Sequence, residues 1–165
     1  MQAIVFMAGF AAAWWVAGIA LGHEPLGLAA IGPAISAVFI LAAARGLPKA
    51  ELDAGERKRR GRTVAWIGAV EGAAIAVAIR LLPGLGLADL VFPAVAMIVG
   101  LHFVPLARLL PMRIYYLSAV LLVLVAVAGL FAPPADRPFV VGAAAAITLW
   151  LTCLVRLVKP TRSVA

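Results

Sequence analysis

The chain has 165 residues, of which 65% are hydrophobic and 13% are charged, and its mean hydropathy is +1.12. A water-soluble domain of this length needs many more polar residues to cover its surface, so the composition favours a membrane protein. The net charge of +7 is basic, but the orientation of helices in a membrane explains such an excess without a nucleic-acid partner.

Six apolar runs account for most of the chain, and each approaches the roughly 20 residues that a helix needs to cross a bilayer. Short breaks of Gly, Pro and charged residues separate most of the runs, so consecutive helices are predicted to be antiparallel. The predicted fold class is all-α: a polytopic membrane protein with six transmembrane helices in a compact bundle, forming one transmembrane domain over residues 1–165. The helices are predicted at residues 3–21, 26–44, 64–82, 87–107, 114–132 and 139–158, with a basic cytoplasmic loop at 45–63.

Basic residues are distributed unequally between the two predicted sides of the membrane. Of the 14 Lys and Arg residues, only Arg80 and Arg137 lie on one side. Because the excess of positive charge marks the cytoplasmic side, both termini are predicted in the cytoplasm. The other side carries Arg45, Lys49, Arg57, Lys58, Arg59, Arg60, Arg62, Arg108, Arg113, Arg156, Lys159 and Arg162.

The basic loop contains the densest run of cations in the chain. Such a run next to a membrane helix attracts anionic lipid head groups at about 1 kcal/mol per charge. Membrane lipids are therefore the predicted partners, no nucleic-acid partner is predicted, and a protein partner is the alternative use of this run. The predicted head-group contacts are Arg57, Lys58, Arg59, Arg60 and Arg62.

Glu71, near the middle of the third predicted helix, is the first candidate for a functional site. An ionisable group at that depth costs a few kcal/mol, so it should face the bundle or a wet cavity. His102, in the fourth predicted helix, lies at a similar depth, and a Glu71–His102 pair is predicted as a proton-responsive intramembrane site. An interhelical hydrogen bond explains both residues as well. No metal, cofactor or catalytic residue is predicted, because the sequence has no recognisable ligand cluster or nucleophile–base pair.

Charged and aromatic side chains mark the predicted membrane boundaries. Arg80 and Asp89 flank the outer turn between the third and fourth helices and are predicted to pair across it. Trp66, Tyr115 and Tyr116 lie where an inner aromatic belt is expected.

Small residues indicate where helices approach each other. The pairs Gly18-x-x-x-Gly22 and Gly68-x-x-x-Gly72 permit close packing, either within the chain or across a homodimer.

The second and fourth predicted helices share a sequence pattern. Each begins with Gly-Leu-Ala, has a Pro-Ala pair a few residues later and ends with an Arg three residues before a Pro. A duplicated hairpin explains this pattern, and so do shared helix-stop signals. The internal prolines, Pro33 and Pro93, are expected to kink the two helices.

The segment Gly100–Leu109 (GLHFVPLARL), followed by Tyr115 and Tyr116, resembles a segment of small bacterial six-helix membrane proteins with no known activity. The resemblance implies a bacterial origin, and hence a place in the bacterial cytoplasmic (inner) membrane. It adds weight to His102 and Pro105 but implies no reaction.

Together these features predict a small integral membrane protein that transports a small solute, ion or proton, or lets it permeate, through a site at Glu71 and His102. Six helices of this size enclose only a narrow cavity, which favours a small cargo. The alternative is a non-catalytic lipid-binding or sensory membrane bundle that regulates a partner protein. An enzyme is less favoured than either, because no catalytic motif supports it.

Overall fold

A computed structural model describes residues 2–46, 54–109 and 113–158. Within these ranges the regular secondary structure is entirely helical, which confirms the predicted all-α class and the number of helices. The helices are α1 (Gln2–Leu21), α2 (Ile31–Gly46), α3 (Ala54–Gly84), α4 (Val91–Leu109), α5 (Arg113–Gly129) and α6 (Arg137–Val158).

Most of these helices are long and apolar enough to cross a membrane. Five segments of the described residues meet that criterion, and α5 is shorter, with 17 residues. The predicted range 114–132 extends further because the apolar run continues past the end of α5. There the N–H groups of Leu130, Phe131 and Ala132 each bond to the carbonyl three residues earlier, so the helix tightens before it ends. The qualifying segments are Ala3–Leu21, Leu26–Arg45, Lys58–Gly84, Ala88–Leu109 and Arg137–Val158.

The basic loop predicted at 45–63 is helical in its second part, because α3 begins at Ala54 and not near residue 64. Its Lys, Arg and Glu residues are good helix formers, and Glu56 in the first turn complements the helix dipole. The Glu56 carboxylate also approaches the Arg60 guanidinium one turn later, at 4.0 Å. At about 1.5 Å per residue, the 31 residues of α3 extend roughly 46 Å, well beyond a hydrocarbon core of about 30 Å. Residues 47–53 of the predicted loop lie outside the described residues.

The chain divides into two compact units. The first comprises Met1–Ala50 with Pro138–Ala165 and contains α1, α2 and all of α6 except its first residue. The second comprises Glu51–Arg137 and contains α3, α4 and α5. The single transmembrane domain predicted for residues 1–165 stays a prediction.

In the first unit, α1 and α6 approach each other closely at glycines. A Cβ added to Gly142 would lie 2.8 Å from the Cα of Gly18 and 2.8 Å from the carbonyl oxygen of Trp14. A Cβ added to Gly22 would lie 2.7 Å from the side chain of Phe139. Gly18 and Gly22 therefore serve close packing within the chain.

A buried serine joins three helices of the same unit. The Ser36 hydroxyl on α2 donates to the carbonyl of Ala8 on α1 at 2.7 Å and accepts from the indole Nε1 of Trp150 on α6 at 3.0 Å. The Trp150 ring also packs against Trp15, with their centroids 5.8 Å apart, and Trp15 donates to the carbonyl of Leu28 at 2.9 Å. These polar groups are satisfied inside an apolar unit, which makes the contacts between its helices specific.

The helices that share a sequence pattern also share a local structure. A 3₁₀ turn precedes each of them, Leu26–Ala30 before α2 and Ala88–Leu90 before α4. Pro33 and Pro93 are the third residues of α2 and α4, where the backbone N–H has no partner inside the helix. A proline in this first turn breaks no hydrogen bond of the helix, so the reason for expecting kinks at Pro33 and Pro93 no longer applies.

Candidate functional site

Glu71 on α3 and His102 on α4 are neighbours in the second unit. Oε2 of Glu71 and Nδ1 of His102 are 3.3 Å apart, and the two side chains are only 10% and 13% exposed, respectively. The structure thus brings together the two residues of the predicted intramembrane site.

The α3–α4 turn explains why these two residues meet. It is short, and Gly86 has a φ of 76°, a left-handed conformation that glycine adopts at little cost. Glu71 precedes the end of α3 at Gly84 by 13 residues, and His102 follows the beginning of α4 at Val91 by 11. At about 1.5 Å per residue, both lie roughly 17–20 Å from the turn. Antiparallel helices therefore place them at the same level.

Two successive turns of α3 provide partners for the His102 imidazole. The backbone of Ile67 is a hydrogen-bond partner of His102, and Glu71 lies four residues further along the same face. On α4, the Phe103 ring lies edge-on to the imidazole, with the centroids 6.1 Å apart. A carboxylate and an imidazole at the separation of Glu71 and His102 can exchange a proton.

The pair does not belong to a larger cluster of metal ligands in the described ranges. No group of three or more His, Cys, Asp or Glu residues that could hold a metal ion occurs there.

The surface of α3 beside Glu71 is open. A Cβ added to Gly68 or Gly72 would meet no atom within 4 Å. Gly68 lies one turn before Glu71, about 60° away around the helix axis. The Gly68–Gly72 pair therefore leaves room beside the carboxylate, in contrast to the tightly packed Gly18 and Gly22.

Asp89 forms its ion pair with Arg137, the first residue of α6, and not with the predicted partner Arg80. The Arg137 guanidinium also donates from Nε to the carbonyl of Ala132 and from Nη2 to that of Leu130, both at 3.0 Å. These carbonyls follow the end of α5, where the helix leaves them without partners. Three acceptors thus hold the Arg137 guanidinium in place. Asp89 has Arg137 as its ion-pair partner, where the sequence predicted Arg80.

The structure divides the predicted head-group contacts into two sets. Lys58, Arg59 and Arg62 line a groove on α3 together with Gly55, Thr63 and Trp66. Arg60 is instead engaged with Glu56. Arg57 belongs to α3, and its side chain lies outside the described part of the structure.

The predicted inner aromatic belt is also divided. Trp66 and Tyr116 are exposed, at 67% and 42%, as a belt requires. Tyr115 is only 2% exposed and packs on Phe103, with ring centroids 5.7 Å apart, so it belongs to the core between α4 and α5.

A scan against protein-family models, a search of curated proteins and a search of solved structures each found no match. The resemblance of residues 100–109 to bacterial membrane proteins stays a prediction.

Sequence reasoning missed the role of Arg137. In the sequence Arg137 is one of the two cations on the predicted outer side, and it lies 48 positions from Asp89. Its position directly after Pro133-Pro134-Ala135-Asp136 was the available signal, because a cation after a helix end can bond to the last carbonyls. The choice of Asp89 as its carboxylate partner had no signal in the sequence.

Proposed function

We propose that the chain is an integral protein of the bacterial cytoplasmic (inner) membrane that crosses it six times, with both termini inside. Five segments of sufficient length and apolarity support this proposal. The 17 residues of α5 reach the lower end of the lengths that span a bilayer. The unequal distribution of Lys and Arg supports the orientation.

Cysteine labelling in intact cells tests this topology. Cys153 is the only cysteine, so a Cys153→Ala background carries one new cysteine at a time. We expect a membrane-impermeant thiol reagent to label Asp136→Cys in intact cells and Gly55→Cys only after permeabilisation. Labelling of Gly55→Cys in intact cells would contradict the orientation.

Within this membrane protein, the Glu71–His102 pair supports transport or permeation of a small solute, ion or proton. The observation that carries the proposal is the 3.3 Å contact between two ionisable side chains about halfway along apolar helices. Ionisable groups at that level are costly, and they commonly mark the paths of ions and protons. One carboxylate and one imidazole, 3.3 Å apart, fit a small cargo such as an ion or a proton.

A homodimer is part of this proposal. Gly68 and Gly72 leave the α3 surface beside Glu71 uncovered, and small residues of this kind let a second helix approach closely. A second copy seated there would enclose the pair on its open flank.

Flux measurements on reconstituted protein test the proposal. Proteoliposomes are loaded with a pH-sensitive or cation-sensitive dye, and dissipation of an imposed gradient is followed. We expect Glu71→Gln and His102→Gln to reduce flux to the level of protein-free vesicles, because each removes one member of the pair. Arg80→Gln is the matched control on the same helix and should retain flux. Unchanged flux in well-folded Glu71→Gln and His102→Gln proteins would show that the pair only holds α3 to α4.

A second candidate function is a lipid-binding or sensory bundle that regulates a partner protein. The observation that favours it is the helical extension of α3 before the apolar run predicted at residues 64–82, on which Lys58 and Arg59 are exposed. In this function a partner binds the extension, and neutralising Arg57–Arg60 weakens its binding measured by co-purification. Glu71→Gln would then lower stability and leave flux unaffected.

A further inference from the structure

A groove of about 500 Å³ follows the beginning of α3. Three cations, Lys58, Arg59 and Arg62, line it, and Trp66 lies at its C-terminal end, inside the apolar run predicted at residues 64–82. The lining residues, which also include Gly55 and Thr63, are separated by steps of three and one residues and therefore share one face of the helix.

The same face of α3 continues as an exposed apolar stripe. Trp66, Val70, Val77 and Leu81 follow at helical spacing and are 67%, 66%, 60% and 54% exposed. Trp66 and Glu71 are five residues apart, which places them about 140° apart around the axis. Because Glu71 faces α4, the groove and the stripe lie on the side of α3 turned away from α4.

We propose that this face of α3 is a binding site for one anionic phospholipid, with its phosphate among Lys58, Arg59 and Arg62. Lys and Arg bond to phosphate oxygens through charge-assisted hydrogen bonds. An indole occupies the boundary between head groups and hydrocarbon, which is the level that Trp66 takes between the cations and the aliphatic stripe. An acyl chain lies along Val70 and Val77, which are within about one leaflet of Trp66.

The stripe favours a lipid over a soluble phosphate or an acidic protein segment. From Trp66 to Leu81 it extends roughly 22 Å, more than one leaflet of a hydrocarbon core about 30 Å thick. A soluble phosphate would use the cations and leave the stripe without a role. The inference depends on the proposed membrane location and orientation, which cysteine labelling tests separately, and not on transport through Glu71.

Arg60 distinguishes a defined site from diffuse attraction to a charged membrane. It lies two residues from both Lys58 and Arg62, but about 130° from the middle of the groove, and it is engaged with Glu56. Diffuse attraction depends on the charge alone, so removing the charge of Arg60 would weaken it as much as removing the charge of Arg59. A site requires the three groove cations and tolerates the loss of Arg60.

Competition between two lipids tests the proposal. Delipidated protein is incubated in micelles with equal amounts of phosphatidylglycerol and phosphatidylethanolamine, re-isolated, and its bound lipid is quantified by mass spectrometry. We expect the wild type to retain one phosphatidylglycerol molecule selectively. Each groove cation should contribute roughly fivefold, so Lys58→Gln, Arg59→Gln and Arg62→Gln combined should lower retention about a hundredfold. Arg60→Gln should lower it less than twofold.

Several outcomes would overturn the proposal. Equal losses for Arg59→Gln and Arg60→Gln would indicate diffuse attraction, and equal retention of phosphatidylethanolamine would exclude an anionic site. Displacement by soluble glycerol phosphate at the same concentration as the lipid would assign the groove to a free phosphate. Displacement by a soluble poly-glutamate peptide at such concentrations would assign it to a protein partner.

Two measurements keep the proposal testable if the triple variant does not fold. Retention of phosphatidylglycerol by the wild type should fall as salt is raised, because charges near the surface are screened. Val70→Ser with Val77→Ser should weaken retention without altering any charge. Retention that is insensitive to salt and to these two substitutions would refute the site.

Discussion

Replacing Gly142 by alanine introduces a methyl group where α1 and α6 are closest. The new Cβ would lie 2.8 Å from the Cα of Gly18 and 2.8 Å from the carbonyl oxygen of Trp14, whereas ordinary contact begins at 3.4 Å. Both neighbours are backbone atoms, so no side chain can rotate away. The two helices must separate by several tenths of an ångström, and their other contacts must stretch with them.

The change in the free energy of unfolding caused by Gly142→Ala is the sum of two opposing terms. Overpacking of a tightly packed region destabilises proteins by about 1–3 kcal/mol. Alanine is better than glycine inside a helix by about 1 kcal/mol, which offsets part of the overlap. The control is Gly9→Ala on α1, because a Cβ there would meet nothing within 4 Å and only the favourable term remains. The difference between the two variants isolates the steric term, about 1–3 kcal/mol.

The assay is unfolding of purified protein in mixed micelles of increasing denaturing detergent, followed by far-UV circular dichroism. We expect Gly142→Ala to unfold at a lower detergent fraction than the wild type, and Gly9→Ala at an equal or higher one. If both variants unfold at the same fraction, α1 and α6 do not meet at Gly18 and Gly142, and the packing described here is refuted.

Two further predictions use the same titration. Ser36→Ala removes the bond to Ala8 and leaves the buried Nε1 of Trp150 without its acceptor, so we expect a loss of about 1–3 kcal/mol. Thr148→Val, which breaks only a bond within α6, should cost less, and an equal loss would contradict the three-helix role of Ser36. Arg137→Gln should cost about 1–3 kcal/mol because Asp89 and two carbonyls lose their donor, whereas Asp89→Asn should cost at most about 1 kcal/mol. Equal losses for these two variants would show that the carbonyl bonds contribute nothing.

The candidate site was largely predictable because depth along a helix can be counted in the sequence. A short turn forces α3 and α4 to be antiparallel, so Glu71 and His102 fall at the same level whatever the details of packing. Counting does not show which way each side chain points around its helix. The structure adds that information, and it also shows the Ile67 backbone as a second partner of His102.

The two Gly-x-x-x-Gly pairs have different surroundings in the structure. Gly18-x-x-x-Gly22 and Gly68-x-x-x-Gly72 carry the same signal in the sequence, yet only the first is packed against another helix. The difference comes from Gly142 and Phe139, which are more than a hundred residues away in the chain. A Gly-x-x-x-Gly pair indicates that another helix can approach closely. Whether one does depends on a partner helix from another part of the chain.

Composition and the length of the apolar runs by themselves determined that the chain is all-helical and approximately where its six helices lie, because helix length and apolarity are local properties. They also identified the ionisable residues that an apolar helix accepts only at a cost. The tertiary structure alone decided that Arg137 pairs with Asp89 and that Ser36 joins three helices. Such choices depend on the rotation of each helix about its own axis and on partners distant in the chain, and neither is encoded in a local stretch of sequence.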